Sequence, residues 1–201
     1  MMRLLKIFLL LIFPSLLIAQ TQEPELLNKL QDKFNSIEGI SANFVQKTNN
    51  MINISGKLYF KKENNVRCDL GNILIVSNGK TNWNYNKKQD KVVISNYDST
   101  DPSVFSLGNI ILNFPRKCEV TDLSTGTSKV LQLIPKDNSV LHFKKAKIFM
   151  TKDDLVEKLL IWNSNNDLIE IDLSDYELNP SLPDSYFNYV PPEGSKIVDL
   201  R

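Results

Sequence analysis

Between Ile52 and Tyr97 apolar and polar residues alternate with period two through several successive runs, a pattern that favours antiparallel hairpins over helices. Ile52, Ile54, Gly56, Leu58 and Phe60 share one face of the first run, and Asn53, Ser55, Lys57, Tyr59 and Lys61 share the other. A polar turn at Lys62 to Asn65 leads into Val66 to Leu70. Ile73 to Val76 follows, and Asn78-Gly79 supplies a tight-turn pair. The next run sets Trp83 and Tyr85 against Asn82, Asn84 and Asn86, and Lys91 to Ile94 completes the series. A sheet that is apolar on one side and wet on the other needs a cover, so the nature of the cover bears on function.

Residues 1–19 read as a secretory signal peptide, with a retained N-terminal membrane anchor as the competing reading: Arg3 and Lys6 head an apolar run from Ile7 to Ile18 that is short for a bilayer span, and Ala19 precedes the cleavage point. The expectation is an exported, soluble domain covering residues 20–201. The residue after Ala19 is Gln20 and no cysteine lies near the cleavage point, so the mature chain should not itself be lipid-anchored. The full chain has 24 basic and 23 acidic residues, and two of the basic ones leave with the leader. A near-neutral mature protein argues against nucleic acid as a partner.

Along the chain, Pro24 opens a helix in which Leu26, Leu27, Leu30, Phe34 and Ile37 recur at helical spacing, with Gly39 ending it. Ser41 to Lys47 forms a short strand. Asp101-Pro102 starts a second helix, apolar almost all round from Val104 to Leu112 despite Gly108. This segment is either an ordinary buried helix or a hydrophobic lid able to lift from the sheet. Strands resume at Cys118 to Leu123, Lys129 to Ile134, Lys145 to Thr151, Glu157 to Trp162 and Leu168 to Leu173. Leu159 to Trp162 is apolar on both faces and reads as a central strand covered on each side. The economical outcome is one mainly β domain (α+β) of about ten or eleven strands with two or three short helices.

The chemistry expected of an enzyme is missing. His142 has no evident nucleophile partner, no nucleophile-elbow motif occurs, and the seven glycines are too dispersed for a phosphate loop. Cys68 and Cys118 with a single histidine do not make familiar metal spacing. In an oxidising compartment the two cysteines could form a disulfide of about 3–4 kcal/mol, or sit as small buried apolar residues.

The runs Gly56 to Lys62, Val66 to Cys68 and Val76 to Tyr85, followed at the tail by Phe187 to Gly194 and Ile197 to Asp199, resemble the periplasmic lipoprotein carrier family LolA. The signal lies in their order, spacing and the final Pro191-Pro192-Glu193-Gly194 turn. The resemblance implies an unclosed antiparallel β half-barrel whose hydrophobic concave face is covered by short helices. It also implies a soluble periplasmic monomer, without cofactor, metal or covalent chemistry, that shields lipoprotein acyl chains. The implied partners are an inner-membrane lipoprotein-releasing ABC transporter and an outer-membrane lipoprotein receptor. A LolA-like module for a glycolipid or free lipid, or a sensory or structural module binding a protein or peptide, is the alternative.

Alternation together with that fold nominates Leu58, Phe60, Val66, Cys68, Leu70, Trp83 and Tyr85 as cavity liners on the sheet, with Phe105, Ile110, Ile111 and Leu112 from the lid. The family's lid-closing arginine is matched here by Lys62, with Arg67 as a substitute donor.

Overall fold

The computed structural model describes residues 23–49, 51–100, 106–137 and 140–201. The leader, Asp101-Pro102 and Phe105 lie outside them. Helix α1 (Glu25–Ser36) buries Leu26, Leu27, Leu30 and Phe34 on one face, with Ile37 just past its end. A first meander runs through β1 (Gly39–Thr48), β2 (Met51–Lys61), β3 (Asn65–Asp69), β4 (Ile73–Asn78), β5 (Thr81–Asn86) and β6 (Lys91–Asn96). A helical segment follows, and a second meander runs through β7 (Cys118–Asp122), β8 (Lys129–Pro135), β9 (Phe143–Met150), β10 (Val156–Asn163) and β11 (Leu168–Leu178). Strand β11 returns to pair antiparallel with β1 and joins the two halves. Strand β12 (Lys196–Asp199) adds in parallel beside β6.

The result is one 12-stranded sheet in the order β12-β6-β5-β4-β3-β2-β1-β11-β10-β9-β8-β7, open between its outer strands β12 and β7. This is the expected unclosed, mainly β architecture, slightly larger than the ten or eleven strands read from the pattern.

Register fixes the faces. Ile40, Ala42 and Phe44 of β1 lie opposite Phe60, Leu58 and Gly56 of β2, and Leu58 and Phe60 lie opposite Cys68 and Val66 of β3. Leu173 and Ile171 of β11, Leu159 and Ile161 of β10, and Ile148 and Ala146 of β9 continue that concave face on the other side of β1. All but Gly56 are buried. Glycine is required at 56, because a Cβ there would come within 2.1 Å of the Asp69 carbonyl oxygen.

The opposite face differs between the halves. On β10 only Leu159 and Ile161 are buried within the Leu159–Trp162 run; Leu160 and Trp162 are half-exposed, and the Lys145 ammonium stands 4.0 Å from the Trp162 ring centre. The expected two-sided cover is therefore replaced there by a lysine lying over the indole. Lys47 and Lys158 also bracket Glu170 and Asp172 on this convex side.

On β3 to β6 the convex face carries a second apolar layer. Leu74 and Val76 lie opposite Tyr85 and Trp83, which in turn oppose Val92 and Ile94. A strap from Pro183 to Tyr189 covers it. Its turn Asp184–Phe187 packs on β3 and β4, and Phe187 is buried. Tyr186 takes Tyr59 edge-on at 5.3 Å, and Tyr189 lies 5.7 Å from Tyr85. Arg67 sits 4.4 Å from the Tyr186 ring centre while donating to the Tyr186 carbonyl at 3.2 Å.

The Arg67–Tyr186 contact couples sheet and strap at one point, so Arg67→Ala should lower stability by about 1–2 kcal/mol, combining a stacked cation and a lost charged hydrogen bond. Urea unfolding checks the size. Uptake of an apolar dye should stay unchanged, since Arg67 lies on the other side of the sheet from the concave face.

Candidate lipid-binding face

The cover of the concave face comes from α1 and from the segment between β6 and β7. That segment begins with a short helical turn at Leu107-Gly108, widens into a π-helical turn at Asn109–Asn113, and tightens to a 3-10 turn at Pro115–Lys117. The Phe114 amide donates back to the Asn109 carbonyl at 2.8 Å, the wide spacing of a π turn. Leu107, Ile110, Ile111 and Phe114 are fully buried in the same core as the concave sheet residues. Phe34 meets Phe60 at 5.1 Å and Phe114 meets Phe143 at 5.7 Å. Gly108 belongs to this packing, since a Cβ there would come within 2.8 Å of Asn64 Oδ1 and 3.4 Å of the Phe60 ring. The glycine that weakens the helix is what lets it lie down on the sheet.

Few polar contacts hold the segment. The Gln31 side chain of α1 donates to the Ile111 carbonyl at 3.0 Å, a group that the wide turn leaves available. Asn109, 2% exposed, donates to the Tyr97 hydroxyl at 2.7 Å and to the Ser99 carbonyl at 3.1 Å, and it accepts from Asn113 at 2.7 Å. Neither Gln31 nor Asn109 is legible as a site residue from pattern alone: Gln31 lies in the polar part of the α1 pattern, and Asn109 is one polar residue in an apolar run. The usable signal is that lone asparagine, since a polar side chain in such a run needs a partner.

Among the nominated liners, Leu58, Phe60, Val66 and Cys68 are buried on the concave face under this cover, and Leu70 is half-buried against the same core at the end of β3. Ile110 and Ile111 are buried in it and Leu112 packs at its margin.

Trp83 and Tyr85 are corrections. Trp83 lies along the wall of the hollow described below, but its register partners Val76 and Ile94 put its ring on the convex side, and Tyr85 stacks there on the strap. Nominating them as liners assumes that aromatics face the main core. In β5 the asparagines do so instead, because the strap offers the aromatics a second apolar layer.

Both proposed lid-closing cations are also corrections. The Lys62 ammonium pairs with Glu38 at 2.8 Å, the nearest carboxylate a point charge can find, and Arg67 is committed to the strap. The cover is held by neutral side-chain amides.

Cys68 and Cys118 are free thiols, both buried. They belong to β3 and β7, with β2, β1, β11, β10, β9 and β8 between them in the sheet, so the disulfide alternative gives way to two small core residues. Burial pushes the Cys68 thiol well up and the Cys118 thiol up to about 11.

Space remains at the β4–β6 end. A hollow of about 320 Å³ is walled by Val66, Ile75 and Val93 together with Ser77, Asn82, Asn84 and Ser95. A second, of about 280 Å³, opens between Phe34, Phe60, Asn64 and the Gly108–Asn113 side of the cover. Under the middle of the cover, among Leu30, Ile40, Leu107 and Ile111, there is room for little more than a water molecule, about 10 Å³. The cover thus occupies the space that a ligand would need. No group of residues suited to a metal occurs among the described residues, and none of their helices is long and apolar enough to cross a membrane.

With this geometry the family assignment agrees. Residues 35–190 match the model of the family "Outer membrane lipoprotein carrier protein LolA". The chain belongs to the LolA family. It is 25% identical to an outer-membrane lipoprotein carrier protein of Legionella pneumophila over 96% of each chain, and 25% identical to that of Francisella tularensis over 86% of this chain and 87% of the other. It is also 27% identical to an uncharacterized Methanocaldococcus jannaschii protein, MJ0687, over 89% of this chain, which spans 54% of that protein's length. An uncharacterized conserved protein from Thermus thermophilus shares the fold, with a TM-score of 0.54 at 13% identity over 87% of this chain and 97% of the other.

Two outcomes follow for the cover. Asn109→Ala removes three hydrogen bonds without touching the sheet, so the closed form should lose about 1–3 kcal/mol and Cys68 should react several-fold faster with a thiol reagent. Stopped-flow thiol titration measures this. The thiols also set a pH response. A folded-state pKa raised above the unfolded value near 9 means that the native state holds more protons above that pH. Stability from this source is full below about pH 9 and is lost as pH rises toward 11, so the drop in urea midpoint between about pH 8 and 10 should be smaller in the Cys68→Ala/Cys118→Ala variant than in the native chain.

Proposed function

We propose that this LolA-family protein is a soluble periplasmic carrier that shields the acyl chains of lipoproteins. It would take them from an inner-membrane releasing transporter and deliver them to an outer-membrane receptor. The observation that carries the reading is an apolar concave face closed by its own short helical cover, which is anchored by a handful of neutral amides. Leu58, Phe60, Val66, Cys68 and Leu70 on the sheet, with Ile110, Ile111 and Leu112 on the cover, are the residues expected to meet hydrocarbon. Phe105 adjoins the cover in sequence and lies outside the described residues.

The energetics suit exchange. Burying Leu107, Ile110, Ile111 and Phe114 is worth about 1.5–3 kcal/mol each, so the four together hold the cover down with about 6–12 kcal/mol at most. An acyl chain gains about 0.8 kcal/mol per buried methylene, so roughly a dozen methylenes match the cover's own contribution. A single long chain can therefore displace the cover, and the cover can in turn help to eject the chain. Such a cycle uses no covalent step and no cofactor, and this carrier is proposed to have no enzymatic activity.

The reading is tested by placing a charge in the face. Val66→Glu and Leu58→Glu should each reduce capture of a lipoprotein released from vesicles by at least about tenfold, because a carboxylate buried against hydrocarbon costs several kcal/mol. Circular dichroism of each variant reports its folding, and unchanged capture by both folded variants would take these positions out of the cavity. Mass spectrometry of material retained after gentle purification separates the cargo classes. Co-purifying acylated peptide supports the lipoprotein reading, a glycolipid or free lipid redirects it, and a bound protein without lipid would replace it with a sensory or structural module.

A further inference from the structure

The concave face is not uniform. From β9 across to β2 the inward positions are mostly aliphatic or aromatic, with Gly56 and Gln46 among them, but on β4 to β6 they turn polar: Ser77, Asn82, Asn84 and Ser95 alternate there with Ile75 and Val93. These residues wall the hollow of about 320 Å³ beside Val66, and Ser106 at the start of the cover lines it too. Ser77 accepts a hydrogen bond from the Gly79 amide at 3.3 Å, whereas the side chains of Asn82, Asn84 and Ser95 bond to no other described group. Among the described residues lining the hollow there is no lysine or arginine, and the charged one is Asp98.

We infer that this hollow is a head-group subsite, which takes an uncharged, hydrogen-bonding lipid head while the tails take the place of the displaced cover along the apolar part of the sheet. The inference rests on the carrier reading and deepens it by naming the head chemistry. Three features support it. Asparagine amides and serine hydroxyls offer both donors and acceptors, which suits ester, amide or hydroxyl groups. An anionic head would meet no lysine or arginine among the described lining residues and would face Asp98, which two hydrogen bonds from Thr100, at 2.6 Å from the hydroxyl and 2.8 Å from the amide, with the charge of His142 as a smaller influence, hold below the usual carboxylate range. The hollow also adjoins Val66, so it continues into the aliphatic strip formed by Leu58, Phe60 and Cys68. A purely hydrocarbon cargo would gain nothing from this lining, since polar walls hold water that a bare chain can displace only at a cost.

The experiment compares lipids with identical tails: dipalmitoylglycerol, dipalmitoyl phosphatidate and galactosyl dipalmitoylglycerol, each displacing an apolar fluorescent dye from the full mature chain. The uncharged lipids should displace dye at about five- to tenfold lower concentration than phosphatidate, the effect of one or two hydrogen bonds plus a disfavoured charge. A galactosyl head that binds tighter than the plain glyceride would assign the subsite to sugar hydroxyls, and equal binding would assign it to the glyceryl esters; either supports the shared chemistry. Asn82→Val with Asn84→Val should weaken both uncharged lipids several-fold relative to phosphatidate, each compared against the dye affinity measured for that same variant. Asn84→Lys, at an exposed position, should instead favour phosphatidate. Equal displacement by charged and uncharged lipids, unchanged in these variants, would overturn the subsite while leaving lipid carriage standing. Failure of every lipid to displace the dye would sink the carrier reading and the subsite with it.

Discussion

The structure depends on one constraint: the concave side of a twelve-stranded open sheet is too apolar to be left in water. A closed barrel would satisfy it by filling its interior permanently with side chains. Here the sheet stays open between β12 and β7, and the cover is supplied by α1 and the Leu107–Phe114 segment. The cover and any apolar ligand therefore compete for the same surface. Binding is an exchange of one hydrocarbon contact for another, and its balance is set by how firmly the cover is held.

That firmness is modest in its polar part. Gln31, Asn109 and Asn113 anchor the segment through neutral hydrogen bonds, each worth about 1 kcal/mol net. A buried ion pair would be more costly to break, because lifting the cover would leave a charge unpaired in the core. The π turn at Asn109–Asn113 serves the same end: it displaces the backbone from regular helical bonding and presents the Ile111 carbonyl to Gln31. By contrast, the Tyr186 strap on the convex face, with its stacked arginine and paired aromatics, stiffens β3 to β5 without entering the exchange. In the proposed cycle one face opens and the other stays shut.

How much of this is legible in the sequence depends on local pattern against tertiary partner. Period-two alternation is a local property, and it marks β2 to β6 and most of the second meander correctly, with the helical stripe of α1 beside it. Which parity faces the ligand is not local. In β2 and β3 one parity is clearly more apolar, so Leu58, Phe60, Val66 and Cys68 fall on the concave face as the pattern says. In β5 the apolar parity is Trp83 and Tyr85, yet the strap that claims it lies about a hundred residues later in the chain, and no window around β5 contains that information. The same distance hides the fate of Arg67. Lys62 misleads for a different reason: a flexible ammonium takes a carboxylate within its reach, and Glu38, just before β1, lies across the β1–β2 ladder from Lys62, just after β2.

The outward turn of β5's aromatics has a consequence for what the fold can select. Turning Trp83 and Tyr85 outward commits Asn82 and Asn84 to the concave side, so a second apolar layer on one face is obtained together with a polar wall on the other. A carrier whose entire interior was aliphatic would discriminate among ligands by tail length and volume alone, and methylene-for-methylene differences discriminate weakly. A polar lining at one end adds a term that depends on the head, and in the proposed subsite it would orient the ligand with its tails toward the Leu58–Cys68 strip and its head toward β4 to β6. The strap thus does more than stabilise the sheet: by fixing which side of β5 is buried, it determines what chemistry the inside of the molecule presents.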